Sequence, residues 1–231
     1  MQRFVHYLCT RDPTSWWSRH GEAMPTRFVY WGLMLLRFPV ARQILAEAQR
    51  AAHRGLHGEY WRARILASSV PRPEPSEFGP PPRHKRTRGR YNEGKDLVLY
   101  LARTPETAVS ECSANEDRTI FVQQFGLQLE NARVLQFTAD LERDFPHLHY
   151  LLLESEFLPA EAGFVPDPYR ATHYVAFICR LLGIAGVEYA SLKGGFKEDP
   201  DAVNLVLFGP AARAATGMTL GTAHPMNTPP H

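Results

Sequence analysis

The chain has 231 residues, 44% of them hydrophobic and 22% charged, with a formal net charge of +2 at pH 7. That composition predicts a soluble globular protein, long enough for one substantial domain plus an extension, and the charge is too small to force a nucleic-acid reading. The three cysteines, Cys9, Cys112 and Cys179, are odd in number, widely spaced and without a CxxC, so neither a disulfide framework nor a zinc site is suggested and a reducing cytoplasm is the expected compartment.

From the N-terminus, MQRFVHYLCTRDP lacks a long apolar core followed by a small-residue cleavage site, so no signal peptide is expected. The most apolar stretch, residues 28–41, is shorter than a membrane span and is interrupted by Arg37 and Pro39. Residues 1–56 read as a helical extension anchored by Trp16, Trp17 and Trp31. In it, residues 40–53 place Val40, Ile44, Leu45 and Ala48 at helical spacing, and Gly55 and Gly58 read as the stop. Residues 60–67 (YWRARILA) alternate, with Trp61, Ala63 and Ile65 on one side and Arg62 and Arg64 on the other, the pattern of a strand. The proline-rich residues 68–88 read as a loop that runs into RHKRTRGR at 83–90, a solvated basic face or a phosphate-binding run.

Residues 89–111 (GRYNEGKDLVLYLARTPETAVSE) are the most informative stretch. A glycine turn carrying Arg90, Tyr91 and Asn92 leads into an apolar strand, 97–102, that contains Tyr100. Thr104-Pro105-Glu106 then has the form of a helix start: a hydroxyl cap, proline at the first position and an acid in the first turn. Glu111 lies four residues after Thr107 and three after Ala108, on one helix face. Small and apolar neighbours imply that Glu111 is partly buried; a buried carboxylate needs partners, for which Arg62, Arg64 and Arg90 are candidates.

Further on, residues 119–127 and 132–138 read as two strands joined by a turn at Glu130-Asn131, and 139–145 as a short helix. Asp167-Pro168 caps a helix over 169–182, with Tyr174, Phe177, Ile178 and Leu181 on its inner stripe and Gly183 as its stop. Residues 187–191, ending in Ser191, and 203–208 (VNLVLF) read as the last strands, and 213–231 as a disordered tail. There is no HExxH, so no metal site is expected, and no GxGxxG, GxxxxGK[ST] or GxSxG. On spacing alone Tyr100 reads as a core tyrosine, Ser191 as a strand-end serine and Glu111 as a surface helix glutamate.

Taken in order, YWRAR, the PPP loop, GRYN..G, LYLA, ETAVSE, RVLQFT, GVEYASLKGG and NLVLF resemble the RES domain family, named for its shared Arg, Glu and Ser. These are toxins of bacterial toxin–antitoxin pairs and related proteins. The resemblance implies an α+β fold similar to ADP-ribosyltransferases, with a split, mostly antiparallel β core, flanking helices and here the N-terminal extension. The domain would span residues 57–212. It also implies destruction of NAD⁺ at the nicotinamide–ribose bond by water or phosphate, with NAD⁺ as substrate and no resident cofactor.

By residue, the resemblance puts the catalytic roles on Glu111, Arg90, Tyr100 and Ser191. It puts NAD⁺ binding on Arg62, with Arg64 the second choice, and on Arg90, Tyr91, Asn92 and Asn204. Physically the assignment suits the reaction: a carboxylate stabilises an oxocarbenium-like transition state, and arginine forks bind a pyrophosphate. A helix-turn-helix antitoxin is the implied partner, and the apolar N-terminal segment is compatible with a homodimer. Two alternatives stay open. One is transfer of ADP-ribose to a macromolecule; the other is a non-catalytic module gripping nucleic acid through residues 83–90.

Overall fold

The computed structural model describes residues 35–67, 73–93, 96–112, 118–136, 141–153, 169–191, 193, 199 and 201–226. In chain order the elements are α1 (Pro39–Ala51), β1 (Ala52–Ala67), β2 (Arg88–Gly89), β3 (Asn92–Glu93), β4 (Val98–Ala102), α2 (Pro105–Ser110) and β5 (Arg118–Leu135). There follow α3 (Leu141–Asp144), α4 (Pro146–Leu153), α5 (Arg170–Leu181), β6 (Gly186–Ala190), β7 (Val203–Phe208), α6 (Gly209–Ala215) and β8 (Thr219–Met226). Short 3₁₀ turns lie at Pro75–Phe78 and Arg83–Lys85. The tryptophan anchors of the N-terminal segment, the Asp167-Pro168 cap and residues 227–231 lie outside the described residues. Among the described residues no helix is long and apolar enough to cross a membrane.

Two compact units, each discontinuous in sequence, make up the fold. The first takes the described parts of Met1–Ala52, Arg88–Glu93 and Thr138–Gly183; the second takes those of His53–Thr87, Gly94–Phe137 and Ile184–His231. The GRYN turn and the late helices, which the sequence reading placed in the domain at 57–212, belong to the first unit.

In the first unit α1 starts on Pro39, whose ring cannot donate but suits the first helical position. Its buried face is Ala41, Ile44, Ala48 and Ala51, spaced three, four and three apart, and it packs against α4 and α5. Glu47 is buried on the same face. Its carboxylate accepts from the Leu148 amide at 2.8 Å and pairs with His147 Nδ1 at 2.7 Å, so it satisfies an otherwise orphaned donor in the first turn of α4. Helix α5 is buried from Ala171 to Cys179, and Gly183, at φ +66°, ends it. Leu181, expected on the inner stripe, is exposed.

The second unit holds a six-stranded sheet in the order β1-β4-β7-β6-β5-β8, with β1 also pairing with β5. Strand pairs β1–β4, β4–β7, β6–β7 and β5–β8 are antiparallel, and β5–β6 is parallel. The fold is thus α+β with a mostly antiparallel sheet flanked by helices, as expected. Leu99, Leu101, Leu205 and Leu207 form a core with Tyr60, Phe121, Phe125 and Leu127, closed by Ala212 and Ala215 of α6. Burying such side chains is the main favourable term in the fold, about 1.5–3 kcal/mol each. A smaller cluster of Val109, Ile120 and Val122, flanked by Trp61, Ala63 and Ile65, seats α2.

Three local expectations are corrected. Gly55 and Gly58 do not stop α1; they lie inside β1 at φ +83° and +134°, because a positive φ suits a distorted strand as well as a helix end. The two strands expected over 119–138 are one strand, β5, which pairs with β8 over its first half and β6 near its end. Glu130 and Asn131 are exposed in mid-strand and only mimic a turn. The tail expected to be disordered from 213 instead completes α6 and forms β8, whose residues face Ile120 to Phe125. As an edge strand β8 buries little beyond Ala223, so its composition resembles a tail.

Candidate active site

Three of the predicted site residues meet in the second unit. Strand β4 ends at Ala102, and Thr104 adopts extended backbone and caps α2, its Oγ1 accepting from the Thr107 amide at 3.1 Å. Seven residues after Thr104, Glu111 closes the helix as its C-cap. A carboxylate at this end opposes the helix dipole, so it is not there for the helix.

Opposite it, β6 and β7 run antiparallel with Tyr189 facing Asn204, and Asn204 faces Ala102 of β4 in turn. Asn204 Nδ2 donates to Glu111 Oε1 at 2.7 Å, and Ser191 Oγ, one residue past β6, donates to the same oxygen at 2.7 Å. Ser191 and Asn204 are buried, and the Ser191 amide is fixed to the Ala202 carbonyl at 2.8 Å.

Glu111 itself is exposed, not partly buried as its neighbours implied. Two neutral donors take the place the sequence reading gave to Arg62 and Arg64. Both converge on Oε1, and among the described residues Oε2 receives no hydrogen bond. The result is an exposed carboxylate fixed at one oxygen, with the other free of hydrogen bonds from the described residues. Such a group can accept from a ligand hydroxyl or stand beside a developing positive charge. Cys112 follows it, half-buried; burial pushes its thiol up, and the charge of Glu111 adds to that. Tyr100 faces Val206, so it lies two residues along the sheet on the same face as Asn204.

Arg62 and Arg64 make different contacts. Arg62 Nη1 donates to the carbonyls of Phe78 and Gly79 at 2.9 and 3.1 Å, and Arg64 Nη2 donates to Gly79 at 2.9 Å. Alternation along β1 puts them on the opposite side from Trp61, Ala63 and Ile65, the side that packs with α2. Burial, and then the charge of Arg64, pull the Arg62 guanidinium down to about 9, so it stays a cation at neutral pH. Both arginines hold the loop after the Pro75–Phe78 turn.

The predicted arginine turn lies in the first unit. Strands β2 and β3 pair as a minimal hairpin, Gly89 facing Asn92. Thr172 Oγ1 donates to the Arg90 carbonyl, and His173 Nε2 donates to the Gly89 carbonyl at 2.8 Å. Arg88 Nη2 approaches His173 Nδ1 at 3.5 Å, which fits the neutral tautomer with its proton on Nε2. Tyr91 and Asn92 are buried, while Arg90 is half-buried, its guanidinium 5.9 Å from the Tyr91 ring centre and donating to Leu152 O at 3.3 Å.

Sequence reasoning missed a second polar cluster in the second unit. Glu188, in mid-β6, is wholly buried. It accepts from Tyr60 Oη at 2.7 Å and from Arg103 Nη2 at 3.0 and 3.1 Å. A glutamate between Val187 and Tyr189 in an apolar run was the available signal. Among the described residues no group of three or more His, Cys, Asp or Glu could hold a metal ion.

The model of the RES domain family matches residues 59–225 of the chain. Among solved structures, one similar chain comes from the MbcT–MbcA toxin–antitoxin complex of M. tuberculosis. It is 12% identical with a TM-score of 0.47, over 82% of this chain and 94% of that one. No curated protein matches the chain.

Proposed function

The chain belongs to the RES domain family, and from that premise we propose that it cleaves the nicotinamide–ribose bond of NAD⁺ with Glu111 as the central catalytic group. The observation that carries the reading is the exposed Glu111 carboxylate, held at Oε1 by buried Ser191 and Asn204, with no described residue bonded to Oε2.

In the proposed reaction the C1′–N bond breaks and its electron pair returns to the pyridine nitrogen, so neutral nicotinamide leaves without a strong general acid. The positive charge moves to the ribose ring. Glu111 Oε2 faces that charge, or accepts from a ribose hydroxyl, where the attraction is strongest in the transition state. Ser191 and Asn204 keep the carboxylate from turning away. Water or phosphate then attacks C1′, giving ADP-ribose and a proton, or ADP-ribose phosphate. Tyr100 is assigned to the nicotinamide side. We further assign the protein to the toxin half of a toxin–antitoxin pair, with a helix-turn-helix antitoxin as partner.

The test is NAD⁺ consumption by the purified chain, with and without phosphate, products followed by mass, against Glu111→Ala. Nicotinamide release that the variant abolishes supports the reading, and the second product names the nucleophile. Label passing from NAD⁺ to a macromolecule would replace it with ADP-ribose transfer. No NAD⁺ loss by the folded wild type would refute it.

A further inference from the structure

The Tyr60–Glu188–Arg103 cluster touches none of the groups assigned to substrate, yet it is built into the same strands. Arg103 directly precedes Thr104, the cap of α2. Its amide donates to the Val203 carbonyl at 2.8 Å, beside Asn204. Its guanidinium reaches Glu188, three residues before Ser191. Tyr60 adds β1 to the same carboxylate.

Helix α2 is therefore tied at both ends to the same two strands. Its N-terminal end is held by Val203 and Glu188, and its C-terminal end by Asn204 and Ser191. A helix of six residues has little stability of its own, so these ties decide where it sits. We propose that Glu188 and Arg103 are positioning residues for the Glu111 carboxylate: their ion pair fixes the start of α2 so that its last residue meets Ser191 and Asn204.

This rests on the assignment of Glu111. Its physical basis is that a buried ion pair is a poor source of stability, since an apolar replacement of the same shape is often neutral or better. What such a pair supplies is one geometry. Glu188 has no exposed side-chain surface and Arg103 is 39% exposed. Burial alone would lower the Arg103 guanidinium, but the charge and hydrogen bond of Glu188 outweigh it and hold it raised. The guanidinium is thus a cation at neutral pH, and the hydroxyl of Tyr60 fills a further acceptor site of the carboxylate.

The test compares the full chain with Glu188→Gln, Arg103→Met and Arg103→Lys. Expected is a fall in kcat on NAD⁺ of at least about tenfold for Glu188→Gln and Arg103→Met, against the roughly hundredfold that a 1 Å misplacement can cost. KM should change little, and Arg103→Lys, which keeps the charge pair, should recover most of the loss. Wild-type kcat in Glu188→Gln and Arg103→Met, with only a lower melting temperature, would overturn the proposal and leave a structural role.

Glu188→Gln removes the buried charge and leaves an oxygen for Tyr60, so it keeps the test alive where Arg103→Met, which strands the buried Glu188 carboxylate, does not fold. A second readout does not depend on NAD⁺ chemistry. Hydrogen exchange at the Ala108 and Glu111 amides should quicken in Glu188→Gln relative to the amides of β7; unchanged protection there would also overturn the proposal. A wild type without NAD⁺ cleavage but with that quickened exchange would sink the assigned chemistry while leaving the positioning intact.

Discussion

Glu111→Gln separates charge from geometry at the site. Glutamine keeps an oxygen where Oε1 stands, so Ser191 and Asn204 retain their acceptor at 2.7 Å; what changes is the charge and the group that replaces Oε2. Alanine would also strand two buried donors and confuse the outcome. If Oε2 lies about 4 Å from C1′, its attraction to a full positive charge is worth ~1 kcal/mol in water and ~4 kcal/mol at an effective dielectric of 20. Glu111 is exposed in the free protein, but bound substrate displaces water from it, so a value near 3 kcal/mol is expected, or about a hundredfold in kcat. KM should stay within about threefold, because the positive charge reaches the ribose from the pyridinium only in the transition state. The melting temperature should not move, since no hydrogen bond to a buried group is lost. The assay is initial-rate nicotinamide release over a range of NAD⁺ concentrations. A kcat within about fivefold of wild type, about 1 kcal/mol, would refute the placing of the carboxylate against the ribose.

Three further outcomes follow from the same geometry. Ser191→Ala leaves Oε1 with Asn204 alone; a hydrogen bond to a charged acceptor is worth ~1.5–3 kcal/mol, so kcat should fall about tenfold or more with NAD⁺ still bound, and an unchanged kcat would remove Ser191 from the site. Thr104→Ala deletes the cap of α2 and should lower stability by about 1 kcal/mol, read as an earlier urea midpoint; no shift would mean that the helix is held without its cap. In alkali, burial and then Glu188 raise the Tyr60 phenol above its ordinary 10.0. The native chain therefore keeps a proton that the unfolded chain releases, and this contribution to stability, complete below pH 10, is lost as pH rises beyond it. Urea midpoints should fall with pH from about 10 upward, less steeply in Tyr60→Phe; equal slopes would show that the phenol does not titrate with unfolding.

How much of this was legible in the sequence depends on whether the signal was local. Thr104-Pro105-Glu106 dictates a helix start through its own backbone and side chains, and α2 begins there. The strands 98–102 and 203–208 could be read because their apolar runs are buried on both faces. Glu130-Asn131 misled because a polar pair looks alike in a turn and in an exposed mid-strand crossing between two partners. Residues 219–226 misled because an edge strand needs only one neighbour and little apolar surface. At the site, the resemblance supplied Glu111, Ser191 and Asn204 as separate positions, but not that two of them share one oxygen of the third. That convergence depends on the register of β6 on β7, in which Tyr189 meets Asn204. Glu188 is the reverse case: its charge was visible in an apolar run, but its meaning needed Tyr60, 128 positions away, and Arg103, 85 positions away. A buried carboxylate costs several kcal/mol unless such partners are present, so a lone Glu in a buried strand is itself a statement that they exist. The sequence can raise that demand, and only the fold can name the residues that meet it.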